Sequence, residues 1–367
     1  MDFGVFFLGS SPNHEYQVEY EQALEQAVIA EELGFTTAWL AEHHGSDYGT
    51  FPSPAIFAAA LAQRTKTIRI GVAASILPFQ NPVRTAEDWA MIDVISGGRL
   101  SFAVGRGYQP REFKMMGADP TISREVFDEA LQIVLGLWST DGPFTFRGKH
   151  YTVEDVEVFP KPVQRPIPTW VAALSKPTFE MVAKRQLQIV TTPTLLPLEE
   201  LKRNIVVAAQ TLIAHGRAPE EIDFPMSMIC HVADTHAEAL ANTDTAMDWQ
   251  FSKLLGIAPG GGGKAAPASF EAYEEVIRSL GQAPATDSLI DAGIVMIGSP
   301  DELIVRLQAL RDEVGLKHFI CSFFLPGLSH EQVVASMELF AREVMPALAG
   351  PTPVPEAFRV PLAQAAG

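Results

Sequence analysis

Short runs of apolar residues alternate along the chain with longer segments whose apolar residues recur every three or four positions. The first run covers residues 3–8, and the segment after it, residues 16–33, has helical spacing and ends at Gly34. Predicted strands cover residues 3–8, 35–41, 68–77, 100–104, 169–173, 187–191, 226–232 and 318–324. Predicted helices cover residues 16–33, 54–65, 82–95, 123–138 (with Ser123 as N-cap), 177–184, 198–215, 235–255, 300–314 and 330–345.

The predicted strands are apolar throughout instead of alternating with polar residues, which is typical of a sheet that is buried on both faces. Helices between the strands favour parallel pairing. We therefore predict an α/β fold, a TIM-like (β/α)8 barrel. A doubly wound open sheet is the alternative, although a sheet with this many strands would be unusually wide.

Two segments interrupt this alternation. Residues 141–166 include Phe144-Thr145-Phe146 and are predicted to contain a surface hairpin. Residues 242–297 are predicted to form a long insertion before the eighth strand, and they contain four consecutive glycines after Pro259. We expect a mobile lid over the barrel mouth, or alternatively a plain disordered insertion. Residues 1–348 are then one barrel domain, and residues 349–367 a frayed C-terminal tail.

Composition excludes several functional classes. The net charge of −17 argues against a nucleic-acid or anionic-membrane partner, because phosphate groups bind basic surfaces. No apolar stretch approaches the ~20 residues that span a bilayer, and the N-terminus lacks the pattern of a secretory signal. The two cysteines, Cys230 and Cys321, lie in apolar runs, which indicates reduced core thiols. We expect a cytoplasmic protein.

The second predicted strand ends in Glu42-His43-His44. In a parallel barrel the carboxyl ends of the strands carry the active site. Side chains alternate along a strand, so His43 and His44 cannot both point into the barrel. This argues against a barrel metallohydrolase, whose paired histidine ligands share a face, and we predict no metal site. An acid/base role for one histidine is the favoured interpretation, with a purely structural histidine as the alternative.

Three other strand ends carry residues suited to a ligand. Arg106 lies between two glycines after the fourth strand, where it can bind an anion. Residues 173–178 leave the fifth strand and begin a helix, whose N-terminus favours anions. Residues 71–75 are mostly small and leave space for a flat ring. Together these strand ends predict a pocket for a planar, phosphorylated cofactor. The first strand is not followed by GxGxxG, which argues against a Rossmann site.

These motifs resemble the bacterial luciferase-like, flavin-dependent monooxygenase family, and the alpha-subunit branch of luciferase most closely. The resemblance extends from the N-terminus to about Leu348. The matching stretches are residues 39–44 with Gly49, 71–78, 81–84 with 87–88, 96–99, 105–107, 297–300, 336–340 and 344–346.

The resemblance implies a TIM-like barrel that binds reduced FMN (FMNH2), usually as a homodimer, with the flavin supplied by a separate NAD(P)H:flavin reductase. It implies that FMNH2 reacts with O2 to give a C4a-(hydro)peroxide, which transfers one oxygen atom to a small organic substrate. Two alternatives stay open: an F420-dependent dehydrogenase on the same barrel, and a flavin-binding protein without catalytic activity.

The resemblance also implies roles for single residues. His43 is similar to the catalytic histidine of the family. Ala73 and Ala74 match a non-prolyl cis pair beneath the flavin ring, and Glu87 lies in the helix used for subunit contact. Arg106 is similar to the arginine that binds the FMN phosphate, Ser175 and Thr178 lie in the phosphate loop, and Leu174 is a further cofactor-binding position.

Two positions depart from the luciferase pattern. Gly105 stands where the alpha branch has a reactive cysteine, and Thr191-Thr192-Pro193 stands where it has a tryptophan. These departures favour a non-luminescent monooxygenase with a substrate other than a long-chain aldehyde. The predicted substrate contacts, all apolar or weakly polar, are Tyr108, Phe51, Phe79 and Thr192, and they favour an uncharged or partly apolar molecule.

Overall fold

The computed structural model describes residues 1–173, 176–195, 197–258 and 284–359. The strands are β1 (Asp2–Phe7), β2 (Thr37–Leu40), β3 (Arg69–Ile76), β4 (Leu100–Gly105), β5 (Phe144–Arg147), β6 (Thr152–Val156), β7 (Thr169–Ala172), β8 (Gln188–Val190), β9 (Met226–Val232), β10 (Val295–Gly298) and β11 (His318–Ser322).

Most connections between the strands are helical. The helices are α1 (Tyr16–Glu32), α2 (Pro54–Arg64), α3 (Pro82–Ile95), α4 (Pro110–Met116), α5 (Ser123–Ser139), α6 (Lys176–Lys184), α7 (Leu198–Ala214), α8 (His236–Ile257), α9 (Thr286–Asp291), α10 (Pro300–Val314), α11 (His330–Leu339), a π-helical turn (Phe340–Val344), α12 (Met345–Ala347) and α13 (Glu356–Arg359). Within the described ranges, no helix combines the length and apolar character required to cross a bilayer.

Nine strands form one parallel sheet in the order β10-β9-β11-β1-β2-β3-β4-β7-β8. Thr191, just after β8, donates its N–H to the carbonyl of Pro225 (2.9 Å) and accepts the N–H of Ser227 (2.9 Å). These bonds join β8 to β9 and close eight strands into a ring, with β10 alongside the second half of β9. The predicted barrel is confirmed, and the open-sheet alternative is wrong.

The two interruptions have different outcomes. The hairpin predicted in residues 141–166 is present as the antiparallel pair β5 and β6. In the predicted insertion, residues 242–297, α8 continues to Ile257, α9 follows, and β10 adds a strand that the sequence analysis did not predict. Its apolar run, residues 294–297, follows the glycine-rich segment and pairs with the second half of β9, so it lay within the predicted insertion instead of being assigned as a strand. The glycine run after Pro259 lies outside the described residues.

The expectation of a frayed tail is wrong for the described residues up to Arg359. Phe358, on α13, is buried and packs edge-on against Phe224, with ring centroids 6.4 Å apart. The guanidinium of Arg311 donates to the carbonyls of Leu348 and Pro351. One buried aromatic residue and these bonds fix a segment whose proline and alanine content suggested disorder.

Helix α5 begins differently from the prediction. Ser123 was expected to be the N-cap, but the N-cap is Ile122, and Ser123 is the first helical residue. Its hydroxyl donates to the carbonyl of Pro120 (2.8 Å), so it stabilises the preceding turn instead of capping a backbone N–H. Helix α4, which was not predicted, begins at Pro110 in the same connection.

The interior of the barrel contains a separate apolar layer. It brings together one side chain from each of seven strands, which only the inside of a closed ring allows. Its members are Phe6, Trp39, Ala73, Ala103, Trp170, Val190 and Ile320. The indoles of Trp39 and Trp170 meet edge to face, with ring centroids 5.6 Å apart. Gly71 permits this, because a Cβ at that position would lie 2.3 Å from the Trp39 ring.

Helix α1 is attached to the start of β3 by one carboxylate. Glu31 accepts the backbone N–H groups of Lys66 (2.9 Å), Thr67 and Ile68 (2.8 Å), together with the hydroxyl of Thr67 (2.9 Å). Partial burial disfavours the ionised carboxyl, but the backbone N–H donors outweigh burial and lower the pKa of Glu31 to about 2. The charged form therefore stabilises the fold.

We expect Glu31→Gln to lower the free energy of unfolding by about 1–2 kcal/mol at pH 7, because a charge-assisted set of hydrogen bonds becomes neutral. The folded pKa is depressed, so this stabilisation is complete above pH 4.5 and is lost as the pH falls from 4.5 towards 2. Urea titrations at pH 7 and pH 3 measure both effects. Glu32→Gln, at the exposed neighbouring position, is the matched control. Equal stability of the two variants at pH 7 would contradict the assignment.

Candidate functional site

The imidazole of His43 lies at the carboxyl end of β2. Ala41 still pairs with β1, through its N–H and the carbonyl of Phe7 (3.0 Å), so the alternation of the strand extends beyond Leu40. Trp39 points into the barrel, and the residues two and four positions later share its face. His43 therefore lies above the apolar layer, with its side chain 13% exposed.

Two side chains from the β4–α4 connection contact one nitrogen of this ring. The Nδ1 atom of His43 lies 3.0 Å from Oε1 of Glu112 and 2.9 Å from Nε2 of Gln109. The same carboxylate oxygen accepts the backbone N–H of His44 (2.9 Å). Glu112 is only 1% exposed, so it lies beneath the histidine and not in solvent.

Helix α4 brings these partners to His43. Gln109 is its N-cap, Pro110 its first residue, and Glu112 lies in its first turn. Proline is favoured at the first helical position because its fixed φ suits a helix start and no N–H is lost there. The helix thus starts directly above the end of β4 and points its first-turn acid at the end of β2.

Two tyrosine rings border the imidazole of His43. Tyr48 lies with its ring centroid 5.6 Å away, and Tyr108 meets the imidazole edge to face at 6.0 Å. Burial first, and the charge of Glu112 second, raise the pKa of the Tyr48 phenol, so it stays protonated. Gly49 packs directly on His43, because a Cβ there would lie 2.4 Å from the Cβ of the histidine.

The neighbouring His44 belongs to a different polar group, as the alternation predicts. Its Nε2 lies 3.2 Å from Oε1 of Glu42, and Glu42 accepts the N–H of Ile76 (3.2 Å) and the side-chain amide of Gln80. A cavity of about 240 Å³ lies on this side, lined by Glu42, His44, Phe79 and Gln80 among others. In the described ranges, no three His, Cys, Asp or Glu side chains converge as metal ligands would.

Small residues line the barrel above the apolar layer. The peptide bond between Ala73 and Ala74 is cis, as the resemblance implies. A Cβ at Gly105 would lie 3.1 Å from the Cβ of Ala74 and 4.0 Å from that of Ala172. Ala172, two residues after Trp170, is exposed although it ends a barrel strand. These small side chains leave the rim of the barrel without bulk at this point, which is compatible with a flat ring lying against it.

The predicted phosphate site is described in part. Arg106 directly follows β4, and Thr178 lies in the first turn of α6. Leu174 and Ser175 lie outside the described residues. Arg124, from the start of α5, donates from its guanidinium to the hydroxyl of Thr178 (3.4 Å). A second cation therefore adjoins a helix N-terminus, where the helix dipole also favours an anion.

The predicted substrate contacts are dispersed. Tyr108 adjoins His43, and the hydroxyl of Thr192 contacts that of Thr194 (2.8 Å) beyond the end of β8. Phe79 packs against His44, with ring centroids 5.9 Å apart, on the side of the 240 Å³ cavity. Phe51 is buried between Tyr20 and Phe57. The structure thus brings Tyr108 to His43, and it places Phe79 and Phe51 in other surroundings.

Sequence reasoning missed Glu112, Gln109 and Arg124. An acid in the first turn of a helix is an ordinary feature of helix N-termini, so Glu112 gave no separate signal. Its partner His43 is 69 residues away in the sequence. The single usable signal was the position of Gln109 and Glu112 directly after a barrel strand, at the end where the strands carry functional groups.

Comparison with known proteins places this geometry in a family. A family model described as "Luciferase-like monooxygenase" matches residues 1–318. The alkanal monooxygenase alpha chain of the Kryptophanaron alfredi symbiont is 29% identical, over 95% of this chain and 98% of the relative. Limonene 1,2-monooxygenase of Rhodococcus erythropolis is 27% identical, over 94% of this chain and 86% of the relative.

Solved structures show the same fold. Monooxygenase RslO1 from Streptomyces bottropensis superposes with a TM-score of 0.81 at 26% identity, covering 95% of this chain and 100% of its own. The oxygenating constituent of 3,6-diketocamphane monooxygenase from Pseudomonas putida, solved with FMN, gives 0.76 at 20% identity, covering 96% and 99%. An F420-dependent secondary alcohol dehydrogenase gives 0.73 at 19% identity, covering 95% and 99%. From the match over residues 1–318, the chain belongs to the luciferase-like monooxygenase family and thus to the flavin-dependent monooxygenases.

Proposed function

We propose that the protein binds reduced FMN at the barrel mouth and uses O2 to insert one oxygen atom into a small, uncharged organic substrate. The observation that carries this proposal is the position of His43. It lies above the apolar layer, between Tyr108 and the buried Glu112, next to a mouth lined by small residues. Flavin-dependent oxygenation requires a group that transfers protons, beside a surface against which the flavin ring can lie.

The residues present fit FMN. A flat ring would lie against Ala74 and Gly105, which pack closely on each other and present no bulky side chain. Arg106, Thr178 and Arg124 would hold the phosphate, because guanidinium groups and a hydroxyl at a helix N-terminus satisfy a dianion. Reduced FMN, when bound, supplies the electrons that reduce O2, with one oxygen atom going to the substrate and the other to water.

His43 would transfer protons at the mouth. Its Nδ1 is occupied by Glu112 and Gln109, and its Nε2 makes no hydrogen bond within the part of the chain that the structure describes. Nε2 is therefore the nitrogen available to take up or release a proton. The apolar layer beneath, with Trp39 and Trp170, keeps water from entering the barrel from below.

We expect His43→Ala to lower turnover at least 100-fold while the dissociation constant for FMN changes less than threefold, because the imidazole moves protons and does not anchor the cofactor. Oxygen consumption and product formation with an FMNH2-regenerating reductase measure turnover, and flavin fluorescence measures binding. His44→Ala, which alters the Glu42 side of the strand, is the control. Unchanged turnover in His43→Ala would overturn the proposed role.

For Arg106→Ala we expect a 10- to 100-fold weaker affinity for FMN and no comparable loss for riboflavin, because the lost contact is to the phosphate. A hydrogen bond between charged groups contributes about 1.5–3 kcal/mol, which corresponds to this range. Equilibrium dialysis with both flavins measures the difference. Arg111→Ala, on α4, is the charge-matched control. Equal losses for FMN and riboflavin would show that Arg106 does not bind the phosphate.

A second candidate function is hydride transfer with F420, because the same fold occurs in an F420-dependent alcohol dehydrogenase. The two functions differ in their need for O2. Aerobic and anaerobic assays with FMNH2 and with F420 separate them, since only the dehydrogenase reduces F420 without oxygen. Binding of FMN without turnover of any substrate would instead support a non-catalytic flavin-binding protein.

We further propose a cytoplasmic homodimer that receives FMNH2 from a separate NAD(P)H:flavin reductase. Support for the compartment comes from Cys230 and Cys321, which are buried and form no disulfide. Support for the dimer comes from α2 and α3, where Ile56 is 74% exposed and Met91 47% exposed. Exposed apolar side chains on adjacent helices suit an interface, and α3 also carries Glu87.

We expect Met91→Glu to convert the dimer into a monomer, because it places a charge in the apolar contact. Light scattering after size-exclusion chromatography measures the mass in solution. Val305→Glu is the matched control, since Val305 is 70% exposed on α10, away from these helices. A dimer that survives Met91→Glu but not Val305→Glu would place the interface elsewhere.

A further inference from the structure

Two contacts at Nδ1 of His43 make conflicting demands on which ring nitrogen carries the proton. Glu112 and Gln109 both approach Nδ1, at 3.0 Å and 2.9 Å, but a carboxylate needs a proton there and an amide N–H needs a lone pair. One nitrogen cannot serve both. Meanwhile Oε1 of Gln109 is buried without a hydrogen-bond partner.

A half-turn of the Gln109 amide resolves this conflict. It exchanges Oε1 and Nε2, which differ little in size, and places the oxygen against Nδ1. The N–H at Nδ1 is then shared between two acceptors, and the hydroxyl of Tyr108, 3.5 Å from the exchanged atom, can donate to the amide oxygen. The amide nitrogen takes the buried position that the oxygen leaves. Glu112 already accepts the backbone N–H of His44 through the same Oε1 atom, which fits an ionised carboxylate with several lone pairs.

We infer that Glu112 is a positioning residue that keeps the proton of His43 on Nδ1 and leaves Nε2 as the nitrogen that exchanges protons in the pocket. The arrangement follows the general pattern in which a buried carboxylate fixes the tautomer of a histidine and stabilises its imidazolium. When Nε2 takes up a proton, Nδ1 keeps its own, and the positive ring then faces the negative Glu112. The kinetic part of this inference rests on the proposed function, whereas the tautomer does not.

Nitrogen-15 NMR of the full chain without flavin tests the tautomer directly. With ¹⁵N-labelled histidine, the His43 signals are identified as those missing in His43→Asn. We expect the proton on Nδ1 in the wild type. In Glu112→Ala we expect it on Nε2, because without the carboxylate the Gln109 amide can turn back and donate its N–H to a bare Nδ1. Glu42→Ala, which removes the carboxylate beside His44, should leave the His43 signals unchanged.

Rescue separates positioning from a general loss of structure. Formate is small enough to occupy the space of the missing carboxylate, so we expect it to return the proton of Glu112→Ala to Nδ1 and to restore turnover from a loss of about 100-fold. Affinity for FMN should change less than threefold in all variants. If Glu112→Ala does not fold, Glu112→Gln keeps the shape without the charge, and we expect reduced kcat with an unchanged KM.

Two outcomes would overturn the inference: a proton on Nε2 in the wild type, or an unchanged Nδ1 proton in Glu112→Ala with turnover equal to that of the wild type. A shifted proton combined with full activity of His43→Ala would leave the tautomer assignment intact and refute the proposed role of His43. The failure of the inference and the failure of the proposed function are therefore distinguishable.

Discussion

The hydrogen bonds between Thr191 and the backbone around Met226 close the barrel, and the arrangement of the candidate site depends on that closure. They join β8, the last strand in the sheet order, to β9. Eight strands that are far apart in sequence thus form one cylinder. Once the ring is closed, the direction of each side chain is set by its place in the strand. His43, Ala74 and Gly105 then lie at the same rim, because each is at or near the carboxyl end of its strand.

The barrel interior has two levels with different composition. The lower level holds the indoles of Trp39 and Trp170, which fill the cylinder, and the upper level holds alanines and glycine. Close packing of large side chains below makes the floor rigid, since interiors have few voids and resist compression. The upper level has no bulky side chains at the carboxyl ends of the strands.

The barrel was predictable from the sequence, and the site was predictable only in part. Apolar runs and helical spacing gave the strands in order, because burial on both faces leaves a strong pattern. Predictions failed where an element depended on tertiary contacts: β10 is defined by its pairing with the end of β9, and α13 is held by Phe358 against Phe224. Single residues at strand ends were recognisable by motif. Glu112 was not, because its function depends on a partner in another connection.

The glycine at position 49 limits the substitutions that the loop after β2 can accept. The backbone there has φ near +79°, and the hydrogen atom in place of a side chain faces His43 directly. Any side chain at position 49 would press on the imidazole and strain the backbone, so this position accepts only glycine without a shift of His43. Positions whose side chains do not press on His43, such as the half-buried Thr192 beyond the end of β8, carry no such restriction. Geometry therefore restricts position 49 at the rim to glycine, whatever molecule the barrel accepts.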